Sequence, residues 1–540
     1  MSNSPAISVR DAALNVMRDA GISRIFANPG STEISLLSNF PEDLQFTLAL
    51  HEGSVIGMAT GLAIATGEPA LAIVHTTAGL GNAIGAIATA RVNRAPIAII
   101  VGQQDRRHLA TEPFLAGKLR GLAGEYPVWF NEPVTAQDVP AAIARAIYEA
   151  RLRRGPAIVV VPMDDWSQLA DPDHVFAAPA RVERGTTVAP EVISQLAHRI
   201  NLAKHPVIIA GAGNDSVEGW AEAVRLSEHL HVPVFQESFA GQAGFPQDHP
   251  NFAGFLSAAR SVVRTQLAEF DLILALGAPV FRQYNFEAGP MFPEGTTVLL
   301  ITEDTDEALR SPADISVIGS LPTSLKQLTE QTTSRDSRKA LVVKRRPAPS
   351  APLSGEPLRA SHLMAALAER LSSHTIVVEE TPSSRPDLHD LLPAREPQGF
   401  ISAAMGGLGF GLPATIGLKM GAPERPVVAV LGDGSSMYGI QGLWSARHYN
   451  VGCLFIILNN NRYAVMDRLA DKFGKGGPAW PAFDEIDFVQ LSESLGVSAT
   501  RISSYDQMIT LLDEIIPTLT TRTSALTLVV DVEPELTFAP

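Results

Sequence analysis

The sequence is poor in cysteine and in charge. Cys453 is its single cysteine, so a disulfide within the chain is impossible and a reducing compartment is expected. Charged residues make up 18% of the chain, and 57 acidic against 42 basic residues give a net charge of −15. Nucleic acids and anionic membranes bind clusters of basic side chains, so this acidic balance disfavours both as partners.

Long apolar runs are also missing. We find no uninterrupted stretch of about 18 apolar residues, the length that a membrane-spanning helix needs. The chain also begins without the charged head and apolar segment of a secretory signal. These absences predict a cytoplasmic protein with no membrane partner. Apolar residues still make up 46% of the sequence, which is enough to give several domains a core each.

Short, continuously apolar segments alternate with stretches of helical periodicity. Such segments are typical of strands buried on both faces of a parallel sheet, and the helices between them supply the crossover connections. The pattern predicts the α/β fold class, with doubly wound, mainly parallel sheets built more than once. The segments are Ala70–Val74, Ile97–Val101, Ala157–Val161, Val207–Ala210, Leu272–Leu276, Val427–Leu431 and Leu454–Leu458.

Two stretches are typical of linkers, around Ala178–Val188 and over the proline-rich Arg335–Leu358. They predict three domains, at residues 1–180, 188–335 and 358–540. In the middle domain, Gly211-Ala212-Gly213 follows a predicted strand and resembles a phosphate-binding turn. The third glycine of the nucleotide fingerprint is missing, which favours a structural turn, and we assign no cofactor there.

Two buried strands of the third domain end in polar loops. Val427–Leu431 is followed by Gly432-Asp433-Gly434-Ser435, and Leu454–Leu458 is followed by Asn459-Asn460-Asn461. The carboxyl ends of parallel strands meet at one edge of a sheet, where ligands bind in open α/β folds. Each motif alone is a common turn sequence, but the pair, each on a strand end, indicates a metal and diphosphate site.

The residue types in these loops suit a hard cation. Mg²⁺ prefers oxygen ligands, usually a carboxylate, phosphate oxygens and retained water. We therefore predict Asp433, the amide oxygen of Asn460 and a backbone carbonyl at Arg462 as metal ligands. Gly434 and Ser435 lie beside them, where backbone N–H groups approach a diphosphate without a side chain in the way.

This combination of motifs resembles the superfamily of thiamine-diphosphate-dependent decarboxylases and acetohydroxyacid synthases. The likeness covers nearly the whole chain and is greatest to the benzoylformate decarboxylases. It implies an enzyme, a carbon–carbon lyase with thiamine diphosphate and Mg²⁺ as cofactors. The segments that carry it outside the third-domain loops are Asn28-Pro29-Gly30-Ser31-Thr32-Glu33, Phe40-Pro41-Glu42-Asp43, Leu50-His51-Glu52, Gly102-Gln103-Gln104, Gly277-Ala278-Pro279-Val280-Phe281-Arg282 and Gly406-Gly407-Leu408-Gly409-Phe410.

Glu52 follows the predicted strand Phe46–Leu50 and opens a helix of small apolar residues. Its carboxyl group is therefore predicted to be buried, where it can share a proton with a ring nitrogen; a helix-dipole carboxylate is the alternative. The resemblance implies that Glu52 binds the pyrimidine ring of the cofactor and activates it. It also implies that Glu52 and Asp433 of one site belong to different subunits of a homodimer or homotetramer.

Four further positions are assigned to the cofactor by resemblance. Gly406 and Leu408 would contact its pyrimidine half, although Gly406 could instead simply open a helix. Glu380 and Ser383 follow the predicted strand Thr375–Glu379 and match positions near the diphosphate.

Two residues are candidates for substrate chemistry. Ser31 lies at a strand-to-helix turn, where it is predicted to act as an N-cap, to hold the substrate carboxylate or oxyanion, or both. His75 ends the strand Ala70–Val74, and the resemblance favours a role in proton transfer over a structural one. His51 and His108 have no comparable support.

The sequence departs from the benzoylformate decarboxylases in one important place. Those enzymes carry a second active-site histidine just after the segment that ends here at Arg282, and Tyr284 occupies that neighbourhood. A phenol does not titrate near neutrality without a large shift of its pKa. We hypothesise that Tyr284 or His389 compensates. Pro382 and Arg385 also alter the pattern near the diphosphate positions.

The predicted reaction is decarboxylation of a 2-oxo acid, and the resemblance implies an aromatic one, benzoylformate, giving benzaldehyde and CO₂. Phe114, Leu115, Met466 and Leu469 are predicted to form an apolar pocket wall that fits an aryl or branched side chain. The alternatives are a branched or aliphatic 2-oxo acid, and a carboligase of the acetolactate-synthase type. A non-catalytic paralogue is disfavoured because the cofactor positions are retained.

Overall fold

A computed structural model describes residues 7–171, 182, 185–335, 346–353, 355–472, 474 and 479–534. Three six-stranded sheets follow one another along the chain, and the strands pair in parallel throughout. Helices cover the sheets. The predicted α/β class, with three doubly wound units, is confirmed.

The first unit has the strand order β2-β1-β3-β4-β6-β5. Its strands are β1 (Arg24–Asn28), β2 (Gln45–Leu48), β3 (Ala70–Val74), β4 (Ile97–Gln103), β5 (Trp129–Asn131) and β6 (Pro156–Pro162). Its helices are α1 (Val9–Asp19), α2 (Ile34–Leu37), α3 (Glu52–Thr66), α4 (Thr76–Val92) and α5 (Val139–Arg153).

The middle unit has the order β12-β11-β10-β7-β8-β9, which is the arrangement of dinucleotide-binding folds read from the other edge. Its strands are β7 (Pro206–Ala210), β8 (Val234–Gln236), β9 (Phe252–Phe255), β10 (Leu272–Leu276), β11 (Thr297–Thr302) and β12 (Ile315–Ile318). Its helices are α6 (Pro190–Leu202), α7 (Val217–Leu230), α8 (Arg260–Gln266), α9 (Thr305–Arg310) and α10 (Leu321–Gln331).

The third unit has the order β14-β13-β15-β16-β18-β17 and so repeats the topology of the first. Its strands are β13 (Ile376–Glu380), β14 (Phe400–Ser402), β15 (Val427–Gly432), β16 (Leu454–Asn459), β17 (Ser498–Ile502) and β18 (Leu526–Asp531). Its helices are α11 (Ala360–Arg370), α12 (Arg385–Leu391), α13 (Gly411–Gly421), α14 (Asp433–Met437), α15 (Gly442–His448), α16 (Ala464–Asp471), α17 (Phe488–Ser494) and α18 (Tyr505–Ile515).

All seven apolar segments predicted as strands are strands of the same or slightly greater length. Two other predicted boundaries are wrong. The strand predicted at Phe46–Leu50 ends at Leu48, because His51 adopts extended backbone as the N-cap of α3 and the chain must turn before it. The strand predicted at Thr375–Glu379 runs one residue further, so Glu380 is its last residue rather than the first residue of the loop.

About half of the two predicted linkers lies outside the described residues, at 178–181, 183, 184, 336–345 and 354. Most of the described linker residues are exposed, as expected of unpacked chain, but a few positions contact the domains. Val188 is buried, and the carbonyl of Thr186 accepts a hydrogen bond from Ser320 N at 2.9 Å. Arg346 pairs with Asp387 at 2.5 Å. The predicted domain boundaries themselves stay predictions.

The first and third units are joined by a close helix pair. One hydrophobic core runs through both units, and α3 and α13 cross at its centre. A Cβ atom at Gly61 of α3 would overlap the carbonyl of Ala414, and one at Gly417 of α13 would overlap the carbonyl of Met58. The glycines therefore let the two backbones touch, which fixes the start of α3 relative to the third unit.

We expect Gly61→Ala to lower the free energy of unfolding by about 2–3 kcal/mol, because the added methyl group has no space between the two backbones. Chemical denaturation of the purified protein measures this change. Thr66→Ala, at an exposed position of the same helix, is the control and should stay within about 0.5 kcal/mol of the parent protein. Equal stability of the two variants would contradict the tight crossing.

Among the described residues, no helix has both the length and the apolar character needed to cross a membrane.

Candidate functional site

The first and third sheets each have a point where the strand order reverses, between β1 and β3 and between β13 and β15. In open α/β sheets, ligands bind outside the carboxyl ends of the strands at such a point. Asn28 and His75 lie at the first reversal, and Glu380 and Asp433 lie at the second. Three of the predicted site residues, His75, Glu380 and Asp433, therefore lie at positions that the topology favours for ligands.

Glu52 is the first residue of α3 and is 7% exposed, as the apolar sequence after it predicted. Its carboxylate accepts two hydrogen bonds, from Asn28 Nδ2 at 3.0 Å and from Asn82 Nδ2 at 3.1 Å. Two neutral amide donors thus hold one oxygen each and leave lone pairs for a further partner. Sequence reasoning missed Asn82, because it lies on α4 and only the fold brings it to Glu52.

The neighbouring His51 has a structural role. Its Nδ1 atom accepts a hydrogen bond from Gly53 N at 3.0 Å and so caps the N-terminus of α3. A helix cap satisfies a backbone donor that would otherwise lack a partner. This contact agrees with leaving His51 out of the catalytic candidates.

His75 follows β3 and immediately precedes α4, and its side chain is 15% exposed. Its Nδ1 atom lies 2.9 Å from Thr32 Oγ1 and 3.1 Å from Glu33 Oε2. Glu33 is almost fully buried, and room for it comes from Gly102 on β4, where a Cβ atom would overlap the carboxylate. The roles of Thr32, Glu33 and Gly102 were not predicted, although all three belong to the segments that carry the family resemblance.

Ser31 is exposed and begins a short 3-10 helix, Ser31–Glu33. The residue that precedes the helix is Gly30, whose N–H donates to Glu33 Oε2 at 2.6 Å. The prediction of Ser31 as an N-cap is therefore wrong, because the chain enters the turn one residue earlier. Its role in substrate binding stays a prediction.

The loops after β15 and β16 are joined through Asp433. The two strands are parallel neighbours, with Gly432 beside Leu458. The buried Asp433 carboxylate accepts hydrogen bonds from Asn460 N at 2.8 Å and from Asn461 N at 2.6 Å. The predicted meeting of the two polar loops at one sheet edge is confirmed.

The donor set of these loops fits a hard cation. Burial raises the pKa of the Asp433 carboxyl group above its usual range, while the backbone N–H groups of Gly434, Asn460 and Asn461 act in the opposite direction. A divalent cation beside Asp433 would favour its charged form. Within the described ranges, no three His, Cys, Asp or Glu side chains are grouped to hold a metal. A cation at Asp433 would therefore need amide, carbonyl, phosphate or water oxygens as well.

Glu380 is buried at the end of β13, and both of its carboxylate oxygens accept hydrogen bonds from the backbone at the start of α13 and in the loop before it. The donors are Gly409 N and, at 2.5 Å, Gly411 N. Burial raises the pKa of Glu380 to about 8. Glu380 thus fixes the loop that carries Gly406 and Leu408. Because α13 begins only at Gly411, the alternative in which Gly406 opens a helix is wrong.

Ser383 and Arg385 lie in the chain that follows β13. Ser383 Oγ accepts a hydrogen bond from Val465 N at 3.1 Å, next to the start of α16. Arg385, which departs from the family pattern, pairs with the fully buried Glu379 at 2.8 Å. Arg385 therefore neutralises a buried carboxylate close to these positions.

The two residues proposed to replace the missing histidine differ in environment. The His389 ring stacks on Phe255, with ring centroids 4.0 Å apart, and contacts Phe400 edge-on. Burial lowers the pKa of His389 to about 3. The ring is therefore neutral near pH 7, which disfavours His389 as a proton donor. Tyr284 is 58% exposed, on the loop after β10.

The four residues predicted to line an apolar pocket come from two units. Phe114 and Leu115 lie on the first unit, beyond β4, and Met466 and Leu469 lie on α16 of the third. Phe114 is 86% exposed in the single chain, and Met466 is exposed as well. Whether they share a pocket wall stays a prediction.

The glycine turn of the middle unit is closed, as the sequence favoured. Gly211 N donates to Leu276 O at 3.0 Å, and Gly213 N donates to Gly277 O at 2.9 Å. The N–H groups of both glycines thus bond the end of β10 and the residue that follows it, and are not available to a phosphate. Beside the turn lies a cavity of about 110 Å³, lined in part by Arg94 and Asp304. That volume is far below the 300–1,000 Å³ typical of ligand pockets.

Comparison with known families defines the class of the protein. Residues 383–530 match the description "Thiamine pyrophosphate enzyme, C-terminal TPP binding domain", residues 7–119 match the N-terminal TPP binding domain, and residues 193–328 match the central domain. The chain belongs to this family of thiamine-pyrophosphate-dependent enzymes.

Within the family, the chain is similar to benzoylformate decarboxylases. It is 35% identical to the benzoylformate decarboxylase of Pseudomonas aeruginosa, over 93% of this chain and 95% of that protein. The crystal structure of benzoylformate decarboxylase from Polynucleobacter necessarius superposes with a TM-score of 0.92 at 30% identity, covering 98% and 100% of the two chains. A 4-hydroxybenzoylformate decarboxylase of Rhodococcus jostii RHA1 superposes with a TM-score of 0.91 at 31% identity, covering 98% and 99%.

Proposed function

We propose that this enzyme decarboxylates an aromatic 2-oxo acid, with benzoylformate as the representative substrate and benzaldehyde and CO₂ as products. The observation that carries the proposal is the pairing of two sites on one chain. Glu52 is buried between two amide donors at the reversal of the first sheet. Asp433 joins two oxygen-rich loops at the reversal of the third sheet.

The cofactors would be thiamine diphosphate and Mg²⁺. Asp433, the Asn460 side chain and the Arg462 carbonyl would hold the metal, with Gly434, Ser435 and Ser383 near the diphosphate. Glu52 would bind the pyrimidine, Gly406 and Leu408 would contact its other side, and Glu380 would hold their loop in place. Bound thiamine diphosphate supplies the carbon nucleophile and takes up the electrons when CO₂ leaves.

The chain's own residues would bind the substrate and move protons. Ser31 would hold the substrate carboxylate or the developing oxyanion through its exposed hydroxyl group. His75 would donate or accept a proton at the ring nitrogen that Glu33 does not contact. Tyr284 remains the candidate for a second proton-transferring group, since His389 is buried between phenyl rings.

The aromatic substrate class is supported by the similarity to benzoylformate and 4-hydroxybenzoylformate decarboxylases, and it agrees with the predicted apolar pocket residues. We expect kcat/KM for benzoylformate to exceed that for pyruvate by about 100-fold or more, because a phenyl ring buries far more apolar surface than a methyl group. A panel of aromatic, branched and short 2-oxo acids, assayed with thiamine diphosphate and Mg²⁺, measures this ratio.

The same panel separates the alternatives. Release of CO₂ and free aldehyde from an aromatic acid supports the proposal, and preference for a branched or short acid would overturn its substrate class. Formation of a hydroxyketone in place of free aldehyde, with or without an added acceptor aldehyde, would make the enzyme a carboligase.

We further propose a homodimer or homotetramer, in which the exposed Phe114 and Leu408 are covered and each site combines two subunits. Sedimentation velocity measures the assembly, and a monomer that retains full activity would contradict it.

The buried thiol of Cys453 suits the cytoplasm, where we place the enzyme. We also propose domains at residues 1–180, 188–335 and 358–540, which the family matches support.

A further inference from the structure

Among the described residues, the hydrogen-bonding partners of the His75 imidazole lie on its Nδ1 side. A Cβ atom at Gly30 would overlap the ring, so the backbone of the turn lies directly against it. All contacts described for the ring nitrogens are at Nδ1, with Thr32 Oγ1 at 2.9 Å and Glu33 Oε2 at 3.1 Å. The Thr32 and Glu33 side chains are almost fully buried, so water does not compete for these bonds.

The hydrogen atoms of this group can be assigned by counting donors. The Thr32 hydroxyl group has one hydrogen atom and donates it to Glu33 Oε1. Towards His75, the Thr32 oxygen can then only accept, and an ionised carboxylate accepts as well. Nδ1 of His75 must therefore carry the hydrogen atom that both oxygens share.

The Glu33 carboxylate is itself held in place. Its Oε2 atom also accepts from Gly30 N at 2.6 Å, and Gly102 provides the space that a buried carboxylate needs here. Because three donors converge on Glu33, it is oriented before any ligand binds. A carboxylate that orients a histidine through Nδ1–H also stabilises the charge that the ring gains when it takes up a proton.

We infer that Glu33 and Thr32 are positioning residues that fix the tautomer of His75, so that the neutral ring presents the lone pair of Nε2 to the substrate. The inference deepens the proposed function and rests on it for the substrate, but the tautomer can be measured without turnover.

Glu33→Gln is expected to reverse the tautomer. The new amide has one oxygen, which Gly30 N–H requires, so its NH₂ group faces Thr32. The Thr32 hydroxyl group then donates to Nδ1 of His75, and the ring hydrogen moves to Nε2. Adding Thr32→Val to Glu33→Gln removes that donor and should return the hydrogen to Nδ1, facing the amide oxygen.

The test is neutron crystallography of the deuterated holoenzyme at about pH 8.5, well above the ordinary histidine pKa. We expect deuterium on Nδ1 of His75 in the parent protein, on Nε2 in Glu33→Gln, and on Nδ1 in the double variant. With benzoylformate, kcat should fall about 100-fold in Glu33→Gln with little change in KM, and the double variant should recover part of this loss.

Glu307→Gln is the matched control, because Glu307 is also buried and accepts a hydrogen bond from a threonine, Thr302, at 2.6 Å, but lies in the middle unit. It should leave both kcat and the His75 tautomer unchanged. Deuterium on Nε2 in the parent protein, or an unchanged tautomer or kcat in Glu33→Gln, would overturn the inference. A parent protein with deuterium on Nδ1 that decarboxylates no 2-oxo acid would instead overturn the proposed function.

Discussion

Glu52→Gln is expected to lower kcat for 2-oxo acid decarboxylation by about 1,000-fold. The glutamate is buried at the start of α3, and the amides of Asn28 and Asn82 hold its two oxygens. With the cofactor bound, a carboxylate in this position would share a proton with a pyrimidine nitrogen, and a glutamine side chain could not accept that proton. Steady-state assays with benzoylformate at saturating cofactor measure the loss.

The control for this variant is Glu68→Gln, just beyond the other end of α3, where the glutamate is exposed and pairs with Arg151. It removes a carboxylate near the same helix without touching the site and should leave kcat within about twofold, since surface substitutions have small effects. If Glu52→Gln turned over as fast as Glu68→Gln, the role given to Glu52 would be wrong.

Asp433→Asn is expected to weaken Mg²⁺ binding by about 100-fold or more and to prevent retention of thiamine diphosphate at micromolar concentration. The variant loses the negative charge. In the parent protein, backbone N–H groups donate to both carboxylate oxygens, so the NH₂ group of the asparagine would face one of these donors. Isothermal titration with the cofactor, together with metal analysis of the purified protein, measures both effects.

Asp531→Asn is the matched control. Asp531 is the last residue of β18, which pairs with β16 in the same sheet. Its carboxylate accepts hydrogen bonds from the side chains of Asn459 and Arg501. The substitution removes a carboxylate near the loops without removing a proposed ligand, so cofactor affinity should stay within about threefold, the usual context-dependence of a surface ion pair. Equal loss of metal in both variants would mean that general charge, and not Asp433, binds the cation.

The strands and the metal loops could be predicted because their causes are local. Continuous apolar segments such as Leu272–Leu276 admit few structures other than a strand buried on both faces. Asp433 and Asn460 each follow such a strand, and parallel pairing then brings them to one edge. The order of the strands in each sheet could not be predicted from local sequence patterns. For the same reason, the sequence did not show that the third sheet repeats the topology of the first.

The residues that the sequence left unassigned act across the fold. Asn82 reaches Glu52 only because α4 packs beside α3, and Gly102 matters only because Glu33 lies against β4. Glu380 was expected near the diphosphate, and its two oxygens also bond Gly409 N in the loop before α13 and Gly411 N at the first residue of α13. Single-sequence patterns carry no information on such partners, since the pairs are distant along the chain.

The central claim is that Asp433 and Glu52 bind opposite ends of one cofactor molecule. A crystal structure of the enzyme with thiamine diphosphate and Mg²⁺ tests it most directly. We expect the metal on Asp433 and Asn460, and the pyrimidine ring within hydrogen-bonding distance of Glu52 of the partner subunit. Cofactor bound away from either carboxylate, or the two side chains facing separate cavities, would contradict the account.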